Sequence, residues 1–304
     1  MPDRDLGSIA ESRFVSAPDA LSLHVRCYEP ARPGTPHLPV LCLPGLTRNE
    51  ADFEPLALHL SGDAERPRRV FALDSRGRGR SDYDPDWRNY NPVVELGDVI
   101  AVMNTLALER AVFVGTSRGG ILTMLLAAAQ PNLIAGAVLN DIGPVIEPEG
   151  LMRIKGYVGK MQQPADLAEG AVILRGLFGA QFPSLGEADW MAWADRSWKH
   201  GPGGPVARYD PALAETLKDL TPDQPIPDLW AQFDRLPPVP LMTVRGGLSD
   251  ILSEDTADAM QARRPDMEIV EIPDQGHAPL LAEAKTMSRI SDFMRRCDRS
   301  AETR

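Results

Sequence analysis

Gly115-Thr116-Ser117-Arg118-Gly119 is the stretch that decides the fold of this chain. The apolar run 111–114 leads into it and is predicted to be a strand, and strong helix formers follow at 120–129. Glycines on both sides of a serine permit a tight, strained turn between a strand and a helix, which raises the serine side chain above the sheet. The pattern therefore predicts that Ser117 is a nucleophile.

A serine hydroxyl needs a base to take its proton, and that base needs a third group to orient it. His277 follows a predicted strand at 267–272, and Asp250 follows another at 239–246. Parallel α/β sheets gather their functional groups at the carboxyl ends of strands. We therefore expect Ser117, Asp250 and His277 to converge in one crevice as a catalytic triad.

With these residues in the order Ser, Asp, His, the chain resembles the α/β-hydrolase family. Residues 40–46 are similar to the family's oxyanion-loop strand, which usually ends in His-Gly, although Pro44 stands here in the histidine position. Residues 74–81 resemble the family's D-x-R-G-x-G-x-S loop. The resemblance runs from about 13 to 294, apart from a central insertion.

The resemblance also implies roles for further residues. The backbone N–H groups of Leu46 and Arg118 are expected to form the oxyanion hole, and no cofactor is required. Some relatives place the triad acid after the strand predicted at 135–139, which would select Asp141; we favour Asp250 because it fits the more common pattern. A serine nucleophile argues against the haloalkane dehalogenase and epoxide hydrolase relatives, which use an aspartate.

Hydrophobic patterning predicts an α/β fold class. A hairpin at 13–28 is expected at the sheet edge, and strands then alternate with helices, which is typical of a mostly parallel, doubly wound sheet. Between 144 and 234 the sequence has helical runs broken by glycine and proline, with no clear strand. We predict a core of residues 1–143 and 235–304, with residues 144–234 inserted as a helical cap.

Composition narrows the classes of partner. The net charge of -11 argues against nucleic acid and anionic membranes as partners. The three cysteines have no metal or redox spacing, so we expect no metal site. The first 14 residues lack an apolar signal-peptide region, and no apolar run reaches about 18 residues. We expect a soluble cytoplasmic protein that acts on a small molecule, and homo-oligomer formation is left open.

These observations predict a carboxylesterase-like enzyme that works through an acyl-enzyme. A carbon-carbon bond hydrolase of ring-cleavage products, an enol-lactonase, and a ligand-binding protein without turnover are the alternatives. The carbon-carbon hydrolase would need a cation to hold a substrate carboxylate, and Arg48 is a better candidate for it than Arg118.

Trp190 and Trp193 share a helix face and either pack the cap or line an apolar pocket. We expect uncharged esters to be the preferred substrates.

Overall fold

A computed structural model describes residues 10–30, 37–201, 203–223 and 225–302. The expectation for the N-terminus lies in part outside the described residues, because it includes residues 1–9. The strands are β1 (Ala10–Ser16), β2 (Ser22–Tyr28), β3 (Val40–Leu43), β4 (Val70–Leu73), β5 (Ala111–Thr116), β6 (Ile134–Asn140), β7 (Trp198–Gly201), β8 (Gly204–Ala207), β9 (Leu241–Gly246) and β10 (Glu268–Ile272).

The α-helices are α1 (Glu54–Ser61), α2 (Pro92–Thr105), α3 (Arg118–Ala129), α4 (Pro148–Tyr157), α5 (Leu167–Phe178), α6 (Glu187–Ser197), α7 (Trp230–Phe233), α8 (Glu254–Arg263) and α9 (Ala284–Glu302). Short 3-10 turns supplement them, including one at Glu50–Phe53 directly before α1. Asn91 caps the start of α2 by accepting from the Val93 and Val94 amides, which satisfies N–H groups that have no partner inside the helix.

Eight of the strands form one sheet in the order β1-β2-β4-β3-β5-β6-β9-β10. The pairs β1–β2 and β2–β4 are antiparallel, and the other pairs are parallel. The predicted fold class is therefore confirmed, and the predicted hairpin lies at the sheet edge.

Helices cover both faces of the sheet. In β3, Leu41 and Leu43 join the hydrophobic cluster that contains α2 and α3, whereas Val40 and Cys42 join the cluster that contains α1 and α9. Strands buried on both faces have continuous apolar runs, because successive side chains point to opposite faces and both must be apolar. The long runs in β5 and β6 have the same cause.

The segment predicted as a cap connects β6 to β9 and contains α4 to α7. It also contains a hairpin, because β7 pairs with β8 from Trp198 opposite Ala207 to Gly201 opposite Gly204. The expectation of a segment without strands was therefore wrong. The cluster of glycines from Gly201 to Gly204 is a turn signal that favours such a hairpin. The limits of 144 and 234 stay a prediction.

The part of this segment that directly follows β8 is hydrogen-bonded to the loop that follows β4. The Gly79 amide donates to the Arg208 carbonyl at 2.7 Å, and the Asp210 amide donates to the Gly77 carbonyl at 2.8 Å. The Tyr90 hydroxyl donates to Asp210 Oδ2 at 2.6 Å. These bonds fix the inserted segment over the carboxyl ends of the strands, where the site lies.

Candidate active site

Ser117 occupies a strained turn between β5 and α3. Its φ of 49° is positive, a backbone conformation that residues other than glycine rarely adopt. A methyl group on Gly115 would lie 2.5 Å from the Gly119 carbonyl carbon, and one on Gly119 would overlap the Leu43 carbonyl oxygen. The two glycines are therefore required by close backbone approach on either side of the serine.

Three side chains form a continuous hydrogen-bonded chain. His277 Nε2 lies 2.8 Å from Ser117 Oγ, and His277 Nδ1 lies 2.8 Å from Asp141 Oδ2. Asp141 is fully buried, whereas the histidine side chain is 6% exposed. The imidazole can thus accept the serine proton on one side while the carboxylate fixes the proton on the other.

The expectation that Asp250 would contact His277 was wrong. Arg153 on α4 donates to both carboxylate oxygens of Asp250, through Nε at 2.5 Å and Nη2 at 2.8 Å. Burial would raise the pKa of Asp250, but the hydrogen bonds and charge of Arg153 outweigh it and hold the pKa below its ordinary value. Asp250 therefore links the inserted segment to the turn after β9.

Asp141 reaches the histidine because the chain turns sharply directly after β6. Its φ is 55°, and its backbone N–H donates to the Val244 carbonyl at 2.7 Å. The Gly246 N–H donates to Oδ1 at 2.7 Å, and the Ser249 hydroxyl donates to Oδ2 at 2.6 Å. The turn after β9 thus supplies a serine donor to Asp141.

The two amides predicted for the oxyanion hole belong to elements that one buried carboxylate connects. Glu95 accepts from Arg118 Nε at 2.7 Å and from Arg78 Nη1 at 2.7 Å. Arg78 Nε also donates to the Leu46 carbonyl at 2.7 Å. Burial would raise the pKa of Glu95, but the charges of Arg118 and Arg78 outweigh it and lower the pKa. Participation of the Leu46 and Arg118 amides stays a prediction.

A cavity opens in front of Ser117 and His277. The inserted segment contributes much of the apolar part of its wall: Ile154, Tyr157, Met161, Leu174, Phe178 and Trp193. Phe178 stacks on Trp193 with ring centroids 5.2 Å apart, and Trp190 stacks on the same indole at 5.4 Å. Trp193 thus lies at the cavity, whereas Trp190 is placed in the hydrophobic core of the inserted segment, where it supports Trp193.

The polar part of the wall contains two arginines and one aspartate. Arg48 donates to Asp52 through Nε at 2.6 Å and to the Ser197 hydroxyl through Nη1 at 2.8 Å. Arg196, at the end of α6, lies with its Nε 3.4 Å from Asp52 Oδ1. The structure thus places Arg48, the sequence's candidate for holding a substrate carboxylate, in the cavity wall. Arg196 was missed, because nothing in the sequence around it distinguishes it from a surface arginine.

A second polar cluster is a candidate for metal binding by composition alone. Potential ligand atoms of His24, Glu50 and Asp74 lie within 4.8 Å of one another. The Asp74 oxygens already accept from the Glu50 amide at 2.8 Å, the Arg80 amide at 2.9 Å and His24 Nδ1 at 2.8 Å. These bonds explain the cluster as a means of holding the loop after β4.

Over the described ranges, no helix has the length and apolarity needed to cross a membrane.

The chain belongs to the alpha/beta hydrolase family, whose sequence model matches residues 40–289. The predicted family is thereby confirmed. A crystal structure of an alpha/beta hydrolase from Novosphingobium aromaticivorans superimposes with a TM-score of 0.86 and 43% identity, covering 94% of this chain and 98% of that one.

Two curated relatives have named activities. The chain is 31% identical over 288 residues to a 3-hydroxybutyrate-oligomer hydrolase of Cupriavidus necator, covering 92% of this chain and 96% of the relative. It is 29% identical over 253 residues to a 2-(acetamidomethylene)succinate hydrolase of Mesorhizobium japonicum, covering 82% and 85%. Both relatives are hydrolases, which supports the same general class for this chain.

Proposed function

We propose that the protein is a serine hydrolase that cleaves an ester bond of a small molecule through an acyl-enzyme. The observation that carries the proposal is the chain of hydrogen bonds from Ser117 through His277 to Asp141, in which both bonds are 2.8 Å long. This geometry matches the requirement for a nucleophile, a base and a group that orients the base. Asp141 takes the role that the sequence had suggested for Asp250.

In the first half of the reaction, His277 Nε2 removes the Ser117 proton as Oγ attacks the ester carbonyl carbon. The negative charge that develops on the carbonyl oxygen is stabilised by the Leu46 and Arg118 amides. His277 then gives its proton to the alcohol oxygen as the C–O bond breaks, leaving the acyl group on Ser117. Asp141 stabilises the transient imidazolium.

In the second half, water replaces the alcohol. His277 takes a proton from the water as it attacks the acyl carbon, and returns that proton to Ser117 Oγ as the acid leaves. The apolar wall from Ile154 to Trp193 suits the carbon skeleton of an acyl or alcohol group. The kinship with a 3-hydroxybutyrate-oligomer hydrolase supports esters of short hydroxy acids as the first substrates to test.

A substrate panel tests this proposal. Purified protein is assayed with short p-nitrophenyl esters, with a linear 3-hydroxybutyrate dimer, with a lactone and with a dienoic keto-acid. We expect the esters to be hydrolysed, with Ser117→Ala inactive. Cleavage of the keto-acid without ester hydrolysis would replace the proposal with carbon-carbon hydrolysis, and turnover confined to the lactone would indicate a lactonase.

A fluorophosphonate probe tests the nucleophile independently of the substrate. Wild-type protein should be labelled at Ser117, and Ser117→Ala should not be labelled. Asp250→Asn serves as the matched control, because its side chain is engaged by Arg153 and labelling should persist. Wild-type protein that is not labelled and hydrolyses nothing in the panel would support a binding protein without turnover.

A further inference from the structure

The charges in the cavity wall do not balance. Arg48 and Arg196 both border the cavity, and Asp52 is the carboxylate that faces them there. Both oxygens of Asp52 accept hydrogen bonds from Arg48, through its Nε and Nη2. Because Arg48 also donates to Ser197, each nitrogen of its guanidinium has a protein partner. Asp52 therefore mainly neutralises Arg48.

Arg196 has a different environment. Its Nε is buried without a hydrogen-bond partner, since the 3.4 Å approach to Asp52 lacks hydrogen-bond geometry. Burial lowers the pKa of Arg196, and the like charge of Arg48 acts in the same direction, while the negative charges of Asp52 and Glu54 oppose them. A desolvated guanidinium with an incomplete set of acceptors is costly, and an anionic ligand would relieve that cost.

Arg196 is also held firmly in place. The Asn49 side chain donates to the Arg196 carbonyl at 2.8 Å, and Asn49 is itself buried. The next residue, Ser197, donates to the Trp193 carbonyl at 2.8 Å while it accepts from Arg48. The backbone at the end of α6 is thus fixed to the loop that carries Leu46, and both border the cavity.

We propose that Arg196 binds a carboxylate of the substrate, so that the preferred esters carry a free carboxylate in addition to the scissile bond. The inference rests on the proposed function for the ester bond, and it assigns the second recognition element of that site. A planar guanidinium is well suited to a carboxylate because it can donate two parallel hydrogen bonds. Arg48, which the sequence had suggested for this role, positions Asp52 and Ser197 instead.

This assignment reverses the expectation that uncharged esters are preferred. That expectation rested on the lack of a persuasive cation near the sequence motifs, and on the aromatic and methionine content of the inserted segment, which does form much of the wall. The cation beside this wall depends on how the end of α6 docks, which the sequence does not reveal. A largely apolar cavity whose wall holds two arginines against one aspartate suits a short carbon skeleton ending in a carboxylate.

Two pairs of substrates test the proposal and locate the carboxylate. The first pair compares mono-p-nitrophenyl glutarate with its methyl ester. A preference for the free acid would show that the carboxylate is recognised in the acyl part of the substrate. The second pair compares the 3-hydroxybutyrate dimer with its methylamide, and cleavage of the internal ester bond is measured for both. A preference for the free acid would show that the carboxylate is recognised in the alcohol part. We expect wild-type kcat/KM to favour the anionic member of at least one pair by about 10- to 100-fold, the range of a hydrogen bond to a charged group.

Arg196→Gln should reduce that preference by about 10- to 100-fold, and Arg196→Lys should retain part of it. Arg175→Gln is the matched control, because Arg175 is an exposed arginine on α5 of the same inserted segment, and its preference should equal that of wild type. Wild-type protein without a preference in either pair, or an unchanged preference in Arg196→Gln, would overturn the proposal.

Binding to an inactive variant separates this proposal from the ester-hydrolase proposal. Calorimetry with Ser117→Ala and the 3-hydroxybutyrate dimer needs no turnover. Addition of Arg196→Gln should weaken the dimer's affinity at least about tenfold, with a much smaller change for the methylamide. Equal weakening for both ligands would contradict carboxylate binding even if the wild-type protein is an active esterase. A selective loss would support it even if esters prove to be the wrong reaction class.

Discussion

Asp141 Oδ2 accepts the hydrogen bond of His277 Nδ1 at 2.8 Å, although 136 residues separate the two in the chain. Asp141 directly follows β6, which pairs with β5, the strand that leads into Ser117. The same carboxylate receives the Gly246 amide and the Ser249 hydroxyl. Asp141 is therefore anchored from β9 and the turn after it, on the side of β6 away from β5, and this arrangement governs the first two predictions.

Ser117→Ala and His277→Ala should each lower kcat for an ester by about 10⁴-fold or more, and the double variant should be scarcely worse than either. The two side chains act as one unit, so removing either disables both. Steady-state kinetics on the most active ester of the panel measures the effect, with circular dichroism as a check on folding. Losses that multiply in the double variant would show that the residues act independently.

Asp141→Asn should lower kcat on the order of 10⁴-fold, because an amide can hold the imidazole in the wrong tautomer and cannot stabilise its charged form. Asp250→Asn should lower kcat by less than about tenfold. Its partner is Arg153, so its loss acts on the docking of α4 and should appear mainly in KM.

Arg153→Gln provides the control for the comparison of Asp141→Asn with Asp250→Asn. It should reproduce the effect of Asp250→Asn, and the combination of the two should add little, because each removes the same ion pair. If Asp250→Asn instead removed activity while Asp141→Asn kept it, the acid would lie at the turn after β9 as the sequence had suggested.

Glu95→Gln should lower the free energy of unfolding by about 3–5 kcal/mol at neutral pH, because it leaves Arg78 and Arg118 without their buried counter-charge. The folded-state pKa of Glu95 is lowered, so its contribution to stability is present above about pH 4.3 and is lost as the pH falls further. Urea unfolding of wild type and variant between pH 3 and 7 measures both effects. The difference between the proteins should shrink on acidification, and a constant difference would contradict this account.

Glu50→Gln should have the opposite pH dependence. Burial and repulsion from Asp74 raise the pKa of Glu50 to about 8, so the folded state favours the protonated acid. The contribution of protonated Glu50 to the free energy of unfolding is complete below about pH 4.3. It is lost as the pH rises to 8, at no more than about 1.4 kcal/mol per pH unit.

Urea unfolding at pH 5, 6, 7 and 8 checks the prediction for Glu50. Wild-type stability should fall relative to Glu50→Gln across this range. Glu109→Gln, which changes an exposed carboxylate, should follow the wild-type curve. Parallel curves for wild type and Glu50→Gln would mean that Glu50 ionises normally in the folded protein.

The sequence by itself determined the elements that depend on local patterns. The continuous apolar runs of β5 and β6 specify buried strands, and the glycines at 115 and 119 specify the turn that carries Ser117, because no side chain fits there. His277 could be selected because it follows a recognisable strand in the family's order. Each of these signals lies within about ten residues of the feature it predicts.

Only the tertiary structure decided which carboxylate reaches the histidine and which of the two cavity arginines keeps a buried guanidinium nitrogen without a hydrogen bond. Asp141 and Asp250 both follow parallel strands that end at the same sheet edge, so patterning places them equally well. The choice depends on the positive φ of Asp141 and on the capture of Asp250 by Arg153, an arginine 97 residues away. Arg196 likewise acquires its environment only when α6 packs against the loop of Arg48. Side-chain direction and long-range pairing are set by packing, which the local sequence pattern does not encode.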